Sequence, residues 1–457
     1  MATGTSSHRA WRAACPNCGA PVEFRSAASA FAVCSFCQST VVREGEALRR
    51  IGQSAELFDD HSPLQLGAAG TWQGVAFTLI GRLQLRYEGG TWNEWHALFD
   101  NDRAAWLSED NGRYVLGFDV ALAQPAPPAG SLRVGAQQVV DGQPWFVGSV
   151  TPVTLIAAQG ELPVRPEVGA AHVVADLRNT RAEVGTLDYS DPLAPVWSVG
   201  RSVSLTDLAM TGLAGGSAEK TLAARGVSCP SCGASLTVKL ASTRSIVCHQ
   251  CHAVVDVSKG VGGDLAHFAQ ARRDEPLLPL GSTGSLKLGT AEALPWQVVG
   301  YVERNEIEDE TVQSSWSEYL LYHRSAGFGF LVDAEDGWSW VLPLTGVPGG
   351  SGAIVRHGEV SYRRLYDDYV AEVSYVLGEF YWQVTRHQRT LNADYAGTGS
   401  ASSKRLNREQ TLGDGAQEVV WSAGETLPAG TGFQAFGVGK SAAAAHKRQP
   451  GAATAGS

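Results

Sequence analysis

The eight cysteines carry the clearest chemistry in this 457-residue sequence. Two cysteines separated by two residues can bind one ion from a single tight turn, and two such turns complete a tetrahedral site. The spacing C-x2-C-x15-C-x2-C occurs twice, in Cys15, Cys18, Cys34 and Cys37 and again in Cys229, Cys232, Cys248 and Cys251. We therefore predict two zinc ions, with iron in a rubredoxin-like centre or redox-active dithiols as the alternatives.

A site with four thiolates has no open position for water or substrate, so the predicted metal is structural. Gly19 and Gly233 each follow the second cysteine of a set, where the turn often requires a positive φ. Short β-prone segments, Pro21–Phe24 and 235–239, lie between the half-sites and predict hairpin strands. The sequence thus predicts two zinc ribbons that need metal to fold.

The repeat extends beyond the cysteines. Cys37 to Gly67 and Cys251 to Gly281 are both 30 positions apart. Polar segments that favour a helix, 46–59 and 263–274, follow the ribbons. Strand-like runs flank the dipeptides Asn111-Gly112 and Asp336-Gly337, which suit tight hairpin turns. The alternation of 82–87 has the period of a half-buried strand, so each module is predicted to be antiparallel β.

The predicted fold is mainly β, an internal tandem repeat in which two rubredoxin-like zinc ribbons alternate with two antiparallel barrel or sandwich modules. The two copies are expected to pack as a pseudo-twofold pair. The predicted units are a disordered start 1–10, ribbon 11–43, helical linker 44–62, β-module 63–210, linker 211–226, ribbon 227–258, helical linker 259–276, β-module 277–438 and a disordered tail 439–457.

Composition narrows the function classes. Hydrophobic residues make up 44% of the chain and charged residues 18%, as in soluble globular proteins. The net charge of -10 disfavours a general nucleic-acid coat, although both ribbons are slightly basic. No signal peptide or membrane span is evident, and paired cysteines without export favour a reducing compartment. We expect a cytoplasmic protein that does not span a membrane.

Three acids recur at matching places in the two copies, and they are the starting point for an enzyme hypothesis. The pairs are Glu94 with Glu318, Glu161 with Glu379, and Asp176 with Asp394. Carboxylates can serve as acid and base, so an enzyme would use Glu318, Glu379 and Asp394. The favoured interpretation places these acids on solvent-facing strand positions or in turns. No nucleotide-binding loop, nucleophile elbow or spare cysteine is present, and we predict no enzymatic activity and no catalytic residue.

Three motifs in the second copy resemble a known family. "WSEYLL" (316–321), "GEFYWQV" (378–384) and "VVWSAGE" (419–425) are similar to the bacterial DUF4178 family, whose members combine a zinc ribbon with a Trp-rich β domain. The first copy has "GELPV" where the second has aromatic residues, and it lacks a counterpart for Arg408-Glu409. The resemblance implies an accessory role by association with spermidine-synthase-like enzymes and envelope stress, and it supplies no catalytic residues.

The sequence therefore predicts a non-enzymatic accessory or adaptor protein that binds an unknown protein partner through its Trp-rich modules. Glu379, Tyr381 and Trp382 are the candidate partner-binding surface. The alternatives are a zinc-ribbon protein that binds nucleic acid and the enzyme built on the repeated carboxylates.

Overall fold

The structure of this chain is a computed structural model. It describes residues 11–26, 29–44, 47–53, 62–88, 90–110, 112–214, 226–238, 243–257, 265–271, 273, 275–290, 292–323, 326–335, 337–385, 387–413, 417–428 and 431–438. The predicted disordered ends, 1–10 and 439–457, lie outside these residues, as does most of the predicted linker 211–226. Among the described residues, no helix combines the length and the apolar character that a membrane crossing requires.

The first half of the chain is built almost entirely of strands. Ribbon 1 and the segment after it contain β1 (Trp11–Ala14), β2 (Pro21–Phe24), β3 (Phe31–Val33), β4 (Ser39–Glu44) and β5 (Ala47–Gln53). The first module contains β6 (Ala69–Trp72), β7 (Val75–Tyr87), β8 (Gly90–Phe99), β9 (Ala104–Asp110), β10 (Arg113–Asp119), a 3-10 turn (Ala129–Ser131), β11 (Gln137–Val140), β12 (Gln143–Leu162), β13 (Ala171–Arg178), β14 (Glu183–Asp188) and β15 (Val196–Val203).

The second half repeats this order. Ribbon 2 and the segment after it contain β16 (Gly226–Ser228), β17 (Ser235–Thr237), β18 (Ser245–Val247), β19 (Val254–Asp256) and β20 (His267–Phe268). The second module contains β21 (Thr283–Leu286), β22 (Leu294–Glu308), β23 (Thr311–His323), β24 (Gly327–Ala334), β25 (Gly337–Pro343), β26 (Gly349–Ser351), β27 (Ile354–His357), β28 (Val360–Arg364), β29 (Tyr369–Phe380), β30 (Arg389–Gly397), a 3-10 turn (Gly399–Ala401), β31 (Lys404–Leu412), β32 (Val419–Thr426) and the short helix α1 (Thr431–Ala435).

Each module closes into an antiparallel barrel. In the first, β7, β8, β9, β10, β15, β14, β13 and β12 pair in that order, and β12 pairs again with β7. In the second, β22, β23, β24, β25, β32, β31, β30 and β29 pair in that order, and β29 returns to β22. We call these rings barrel 1 and barrel 2. The predicted fold class, with its tandem repeat, is confirmed.

The hairpins predicted from turn chemistry are present, and the predicted helices are not. β9 pairs with β10, and β24 pairs with β25, around the predicted dipeptides; Asn111 and Asp336 themselves lie outside the described residues. The helix expected in 46–59 is wrong where the structure describes it, because β5 extends the ribbon sheet by pairing with β4. In 263–274, β20 pairs with β19 in the same way. An unpaired strand edge in each ribbon thus overrides the local preference for a helix.

Two of the large apolar clusters lie outside the rings. One packs Phe77, Leu79, Trp95 and Leu107 beneath the segments around Leu64 and Leu208. Barrel 2 has a corresponding cluster around Trp296, Tyr319 and Trp338, which α1 helps to cover. Because these covering segments bury the outer faces of the barrels, part of each inner face can carry polar residues, next to smaller apolar clusters that include Leu85 and Val302.

The described contacts between the copies join elements that do not correspond. The Arg178 side chain of barrel 1 donates to the Thr345 carbonyl of barrel 2 at 3.0 Å. Arg244 of ribbon 2 donates to the Thr91 carbonyl of barrel 1 at 3.1 Å. The position equivalent to Arg244 in ribbon 1 is Ala30, which has no side-chain donor. A twofold axis requires reciprocal contacts, so these contacts give the predicted pseudo-twofold arrangement no support.

Candidate metal centres and barrel lumens

Each set of four cysteines converges on one point. The four sulfur atoms of each set lie within 4.8 Å of one another. The Sγ atoms of Cys15 and Cys37 are 3.7 Å apart, and those of Cys229 and Cys251 are 3.6 Å apart. Metal–sulfur bonds of about 2.3 Å in a tetrahedron place sulfur atoms about 3.8 Å apart, whereas a disulfide needs about 2.05 Å. Both sets therefore fit a tetrathiolate metal ion, and all eight cysteines are free.

The turns that carry the cysteines have the predicted backbone. Gly19 and Gly233 have φ of 76° and 75°, the left-handed conformation expected after the second cysteine. Gln38 and His252 occupy the corresponding places after the fourth cysteine, and their φ values are 57° and 59°. Each of the four turns therefore presents its two sulfurs from the same compact loop, although glycine supplies the conformation in only half of them.

A buried carboxylate anchors ribbon 1 to barrel 1. Glu161 is 3% exposed, and its two carboxylate oxygens accept the backbone N–H groups of Arg25 and Ser26, each at 2.6 Å. β3 of the ribbon pairs with Gly160–Leu162 of β12 beside it. Burial raises the pKa of Glu161, and these hydrogen bonds oppose that effect. The repeated acid thus has a structural role in copy 1.

The equivalent acid anchors ribbon 2. Glu379 is 7% exposed and accepts the hydroxyl of Thr243 at 2.6 Å. β18 pairs with Glu379 and Phe380 of β29. The glycine before each anchor, Gly160 or Gly378, has a positive φ, and a Cβ there would lie 2.3 Å from a carbonyl oxygen of the neighbouring strand. This close approach explains why "GE" occurs in both copies.

The ribbons also close one end of each barrel. Val33 of ribbon 1 packs on Ala158 and Leu162, with Leu83 and Trp106 beside them. In copy 2, Val247 and Val254 of the ribbon pack with a larger set of barrel residues that includes Val302, Leu320, Phe328 and Val376. The ribbons therefore support the barrels from one end, and their apolar side chains close that end.

The inner face of barrel 1 is polar in one part, beside a buried apolar cluster of Leu85, Val153, Leu155 and Val174. Glu94 pairs with Ser108, and Asp176 pairs with Thr186, so each pair of side chains shares a face of the sheet. The opposite face of the same strands carries the ion pair of Arg201 and Glu183, in which the Arg201 side chain is 57% exposed. The face with Glu94 and Asp176 therefore points into the ring. We call this interior lumen 1, formed by Trp92, Glu94, Ser108, Asp176, Thr186 and Asp188.

Glu94 lies at the centre of lumen 1 and is partly exposed. Its carboxylate accepts the indole N–H of Trp92 at 2.9 Å and the hydroxyl of Ser108 at 2.7 Å. Burial raises the pKa of Glu94 to about 7, and the negative charges of Asp176 and Asp188 across the ring add to the shift. Asp176 accepts the Thr186 hydroxyl at 3.1 Å, so these two carboxylates have neutral donors as partners.

Lumen 2 holds the same acids together with a cation. We define it by Arg304, Trp316, Glu318, Tyr369, Asp394, Asn407 and Glu409. The Arg304 guanidinium lies 3.1 Å from a Glu318 oxygen and 3.5 Å from a Glu409 oxygen. The Trp316 indole donates to Glu318 at 2.8 Å, as Trp92 donates to Glu94. Burial lowers the pKa of Arg304, but the charges of Glu318 and Glu409 outweigh that effect and raise the pKa above its ordinary value.

Asp394 completes lumen 2. Its two oxygens accept the Tyr369 hydroxyl at 2.6 Å and the Asn407 amide at 2.8 Å. Tyr369 packs edge-on against Trp316, with ring centroids 5.9 Å apart. Burial raises the pKa of Glu409, and the nearby Arg304 opposes the shift. The carboxylates of lumen 2 thus have both cationic and neutral donors as partners.

The end of barrel 1 that lies away from ribbon 1 packs against copy 2. Gly112 approaches Gly327, and Ser149 of β12 forms an isolated bridge with Glu418. Burial raises the pKa of Asp110 at this end to about 6, and the charge of Arg244 opposes the shift. Charged side chains from both copies therefore lie at this end of barrel 1.

The residues predicted to form the partner surface lie at the joint between ribbon 2 and barrel 2. Glu379 is occupied by Thr243, so a partner would find no exposed carboxylate there. Tyr381 and Trp382 are half-buried; their ring centroids lie 4.4 Å from Phe328 and 5.0 Å from Phe380, respectively. Burial raises the pKa of Tyr381 to about 12. Most of their surface packs inside the protein.

The structure groups the predicted enzyme acids differently from the hypothesis. Glu318 and Asp394 share lumen 2, whereas Glu379 lies at the ribbon joint. The expectation that these acids face solvent or satisfy turns is wrong for Glu318 and Glu379, which lie in the lumen and at the buried joint. Sequence reasoning also missed Arg304 and Asp188. The register shows that Asp188 corresponds to Glu409, since they pair with Val174 and Asn392, respectively.

One signal in the sequence could have identified lumen 2. Arg304 stands at an apolar position of a strand whose two-residue alternation includes the buried Val302. The matching position in copy 1 is Leu85, because Leu85 pairs with Trp92 as Arg304 pairs with Trp316. A cation in an apolar stripe, in a copy that also repeats the acids, indicates an internal ion pair.

Comparison with protein families matches the two modules separately. The model of a domain of unknown function, DUF4178, matches residues 65–205 and 287–429. A four-cysteine group precedes each match. No protein of curated function and no solved structure matches the chain. Because the two matched ranges together cover more than half of the sequence, this chain belongs to the DUF4178 family, of which it carries two copies in tandem.

Proposed function

We propose that this protein is a non-enzymatic accessory protein in which two zinc ribbons support two barrels and the barrels bind a protein partner. The observation that carries this proposal is the attachment of each ribbon. Its inner strand pairs with the barrel, and a buried barrel glutamate accepts hydrogen bonds from a ribbon loop. Four thiolates complete each metal site, so the metals supply stability and the barrels supply the recognition surfaces.

The metal in both ribbons is proposed to be zinc. The sulfur geometry suits zinc and iron equally, since both form tetrathiolate sites. Metal analysis of the purified full chain should return two zinc ions for each chain. Visible absorption bands of a ferric tetrathiolate centre, with matching iron content, would instead identify a rubredoxin-like pair of sites.

A partner surface is best supported on barrel 2. The segment between β28 and β29 exposes Leu365 and Tyr366, which are 39% and 58% accessible. Barrel 1 has no such segment, because β12 runs unbroken through the equivalent place. An aromatic and an aliphatic side chain that remain exposed on a closed barrel are suited to a protein contact. This surface replaces the predicted one at Glu379, Tyr381 and Trp382 in our proposal.

Capture experiments test the partner proposal. The full chain with Leu365→Ser and Tyr366→Ser should lose a partner that the unchanged chain captures from its host. Leu193→Ser is a matched control, because Leu193 is 95% exposed on barrel 1. Both variants should keep their zinc content and far-UV circular dichroism. Equal capture by the two variants would contradict the proposed surface.

The nucleic-acid alternative receives less support from the ribbons. Arg12 and Arg25 pair with Glu23, and Arg43 lies over the ring of Trp11. Arg244 is 7% exposed and contacts barrel 1. Phosphate binding requires clustered basic groups that are accessible. Retention of DNA or RNA by the full chain in low salt would revive this alternative.

The proposed location is the cytoplasm, where a reducing environment would keep the eight free cysteines available for metal. The polyamine or envelope-stress setting implied by the family resemblance stays a prediction. None of the residues described above supports this setting, and only the identity of a captured partner would test it.

A further inference from the structure

Lumen 1 and lumen 2 place three carboxylates at equivalent positions. Glu94 corresponds to Glu318, Asp176 to Asp394, and Asp188 to Glu409, as the strand registers show. A tryptophan two residues before the central glutamate donates its indole N–H to that glutamate in both copies. The two lumens are therefore versions of one arrangement of acids and an aromatic ring.

In copy 2 this arrangement holds a guanidinium group. Arg304 is 8% exposed, and its guanidinium contacts Glu318 and Glu409. Arg304 also donates a hydrogen bond to the Thr390 hydroxyl at 3.3 Å. The chain thus contains its own example of what these acids bind, which is a planar organic cation.

In copy 1 the same place has no arginine. Leu85 stands at the position of Arg304, and its side chain is shorter by about the length of the guanidinium group. Among the described residues, the hydrogen-bond donors to Glu94 are neutral, namely the Trp92 indole and the Ser108 hydroxyl. His172 lies 3.5 Å from Asp188. Arg113, Arg178 and Arg244 act on Asp110 and Glu418, where barrel 1 meets copy 2.

Solvent reaches the acids of lumen 1. Trp92, Glu94 and Asp176 are each partly exposed, although the ring surrounds them. Tyr87 lies against Trp92, with ring centroids 5.4 Å apart, so aromatic surface lines the approach to Glu94. Carboxylates beside aromatic rings in a recess are suited to organic cations, because charge pairing and cation–π attraction act together.

We propose that lumen 1 binds a small organic cation bearing a guanidinium or primary ammonium group, which takes the place that Arg304 fills in lumen 2. Glu94, Asp176 and Asp188 supply the negative charge, and Trp92 supplies the aromatic surface. The proposal is independent of the protein partner, since it concerns the barrel interior and not the exposed loop of barrel 2.

Calorimetric titration of the full zinc-bound chain with methylguanidinium tests this site. The experiment is run at pH 8, where Glu94, with its pKa raised to about 7, is mostly ionised. One saturating site for each chain is expected. N-methylurea, the neutral molecule of the same shape, should produce no saturable heat, and an alkylammonium ion compares the two candidate head groups.

Two variants locate the binding. Leu85→Arg should supply the cation internally and weaken methylguanidinium binding at least tenfold, and Glu94→Gln should do the same by removing the central charge. Arg304→Leu serves as the reciprocal variant, since it should open lumen 2 and add a second site. Zinc content and circular dichroism show whether each variant folds.

The proposal is overturned if the unchanged chain shows no saturable binding at pH 8. It is also overturned if folded Glu94→Gln binds methylguanidinium as tightly as the unchanged chain. Should Leu85→Arg fail to fold, the Glu94→Gln result decides the question alone.

Discussion

Barrel 1 and barrel 2 have the same fold, and each carries its own ribbon and three interior acids. The two barrels nevertheless neutralise those acids differently. Barrel 2 contains a buried arginine that contacts Glu318 and Glu409. Barrel 1 carries Leu85 at that position and leaves Glu94 with neutral donors. The contrast shows that one strand position determines whether this interior is an internal salt bridge or a recess with unbalanced negative charge.

The comparison also separates two kinds of repeated acid. Glu161 and Glu379 do the same work in both copies, because each fixes a ribbon loop to its barrel. Glu94 and Glu318 share a place and a tryptophan donor, but only Glu318 also contacts an arginine. Repetition of a residue therefore identifies a shared position, and only its contacts identify a shared role.

Removal of one metal at a time should have the largest effect on the comparison. Cys34→Ser and Cys248→Ser each remove one thiolate, and structural zinc contributes about 10 kcal/mol or more to the folding of such units. Each variant should bind one metal ion and lose its own ribbon. Cys248→Ser should additionally release Arg244 from Thr91. Limited proteolysis followed by mass spectrometry would show which segments are cut.

The two ribbons would be energetically equivalent if both variants exposed the same cleavage sites in barrel 1. That outcome would contradict a specific role for Arg244 in joining the copies.

Arg304→Leu should destabilise barrel 2 by about 2 to 3 kcal/mol, since it leaves partly buried carboxylates without their cation. Chemical denaturation monitored by tryptophan fluorescence measures this loss. The double variant Arg304→Leu with Glu318→Gln should recover part of the stability, because one unpaired charge is then removed. A loss in the double variant equal to the sum of the two single losses would show that the ion pair does not couple these residues.

Glu94→Gln should change how stability depends on pH. The pKa of Glu94 is raised in the folded state from 4.5 to about 7, so the folded chain binds more protons than the unfolded chain between these values. Stability must therefore fall as the pH rises through this range, by roughly 3 kcal/mol from this group. Glu94→Gln should remove that decline in unfolding curves at pH 5 and pH 8. An unchanged decline would show that other groups cause it.

The smallest effects are expected at the two anchors. Glu161→Gln weakens two short hydrogen bonds from backbone N–H groups, and Glu379→Gln weakens the bond from the Thr243 hydroxyl, so each should cost about 1 to 2 kcal/mol. Thermal unfolding of the full chain with zinc present measures both losses. No change in either variant would contradict the role of that glutamate as an anchor.

The sequence predicts the elements whose signals are local. The cysteine spacing identifies both metal centres, and Gly19 and Gly233 have the positive φ that their places in the turns require. Strand alternation and turn dipeptides predict the antiparallel modules. The helix prediction fails at β5 and β20, because pairing with a ribbon strand is a tertiary effect that local propensity does not contain.

The lumens could be predicted only in part, because they too depend on tertiary pairing. The repeated acids are visible in the sequence, but whether they face solvent or the ring depends on how eight strands close and on their register. The role of Arg304 is evident only from its contacts with Glu318 and Glu409, which lie on different strands of the ring. Only the strand pairing shows that Asp188 is the counterpart of Glu409.

The pairing of β3 with β12 bears on how this protein would respond to metal shortage. β13 pairs with β12 only as far as Thr154, and β3 takes the later positions Gly160–Leu162. Without metal, a ribbon that unfolds would uncover this strand edge together with the apolar Leu162. Uncovered edges of this kind template association between chains, so metal-depleted protein should aggregate through its barrels while those barrels are still folded.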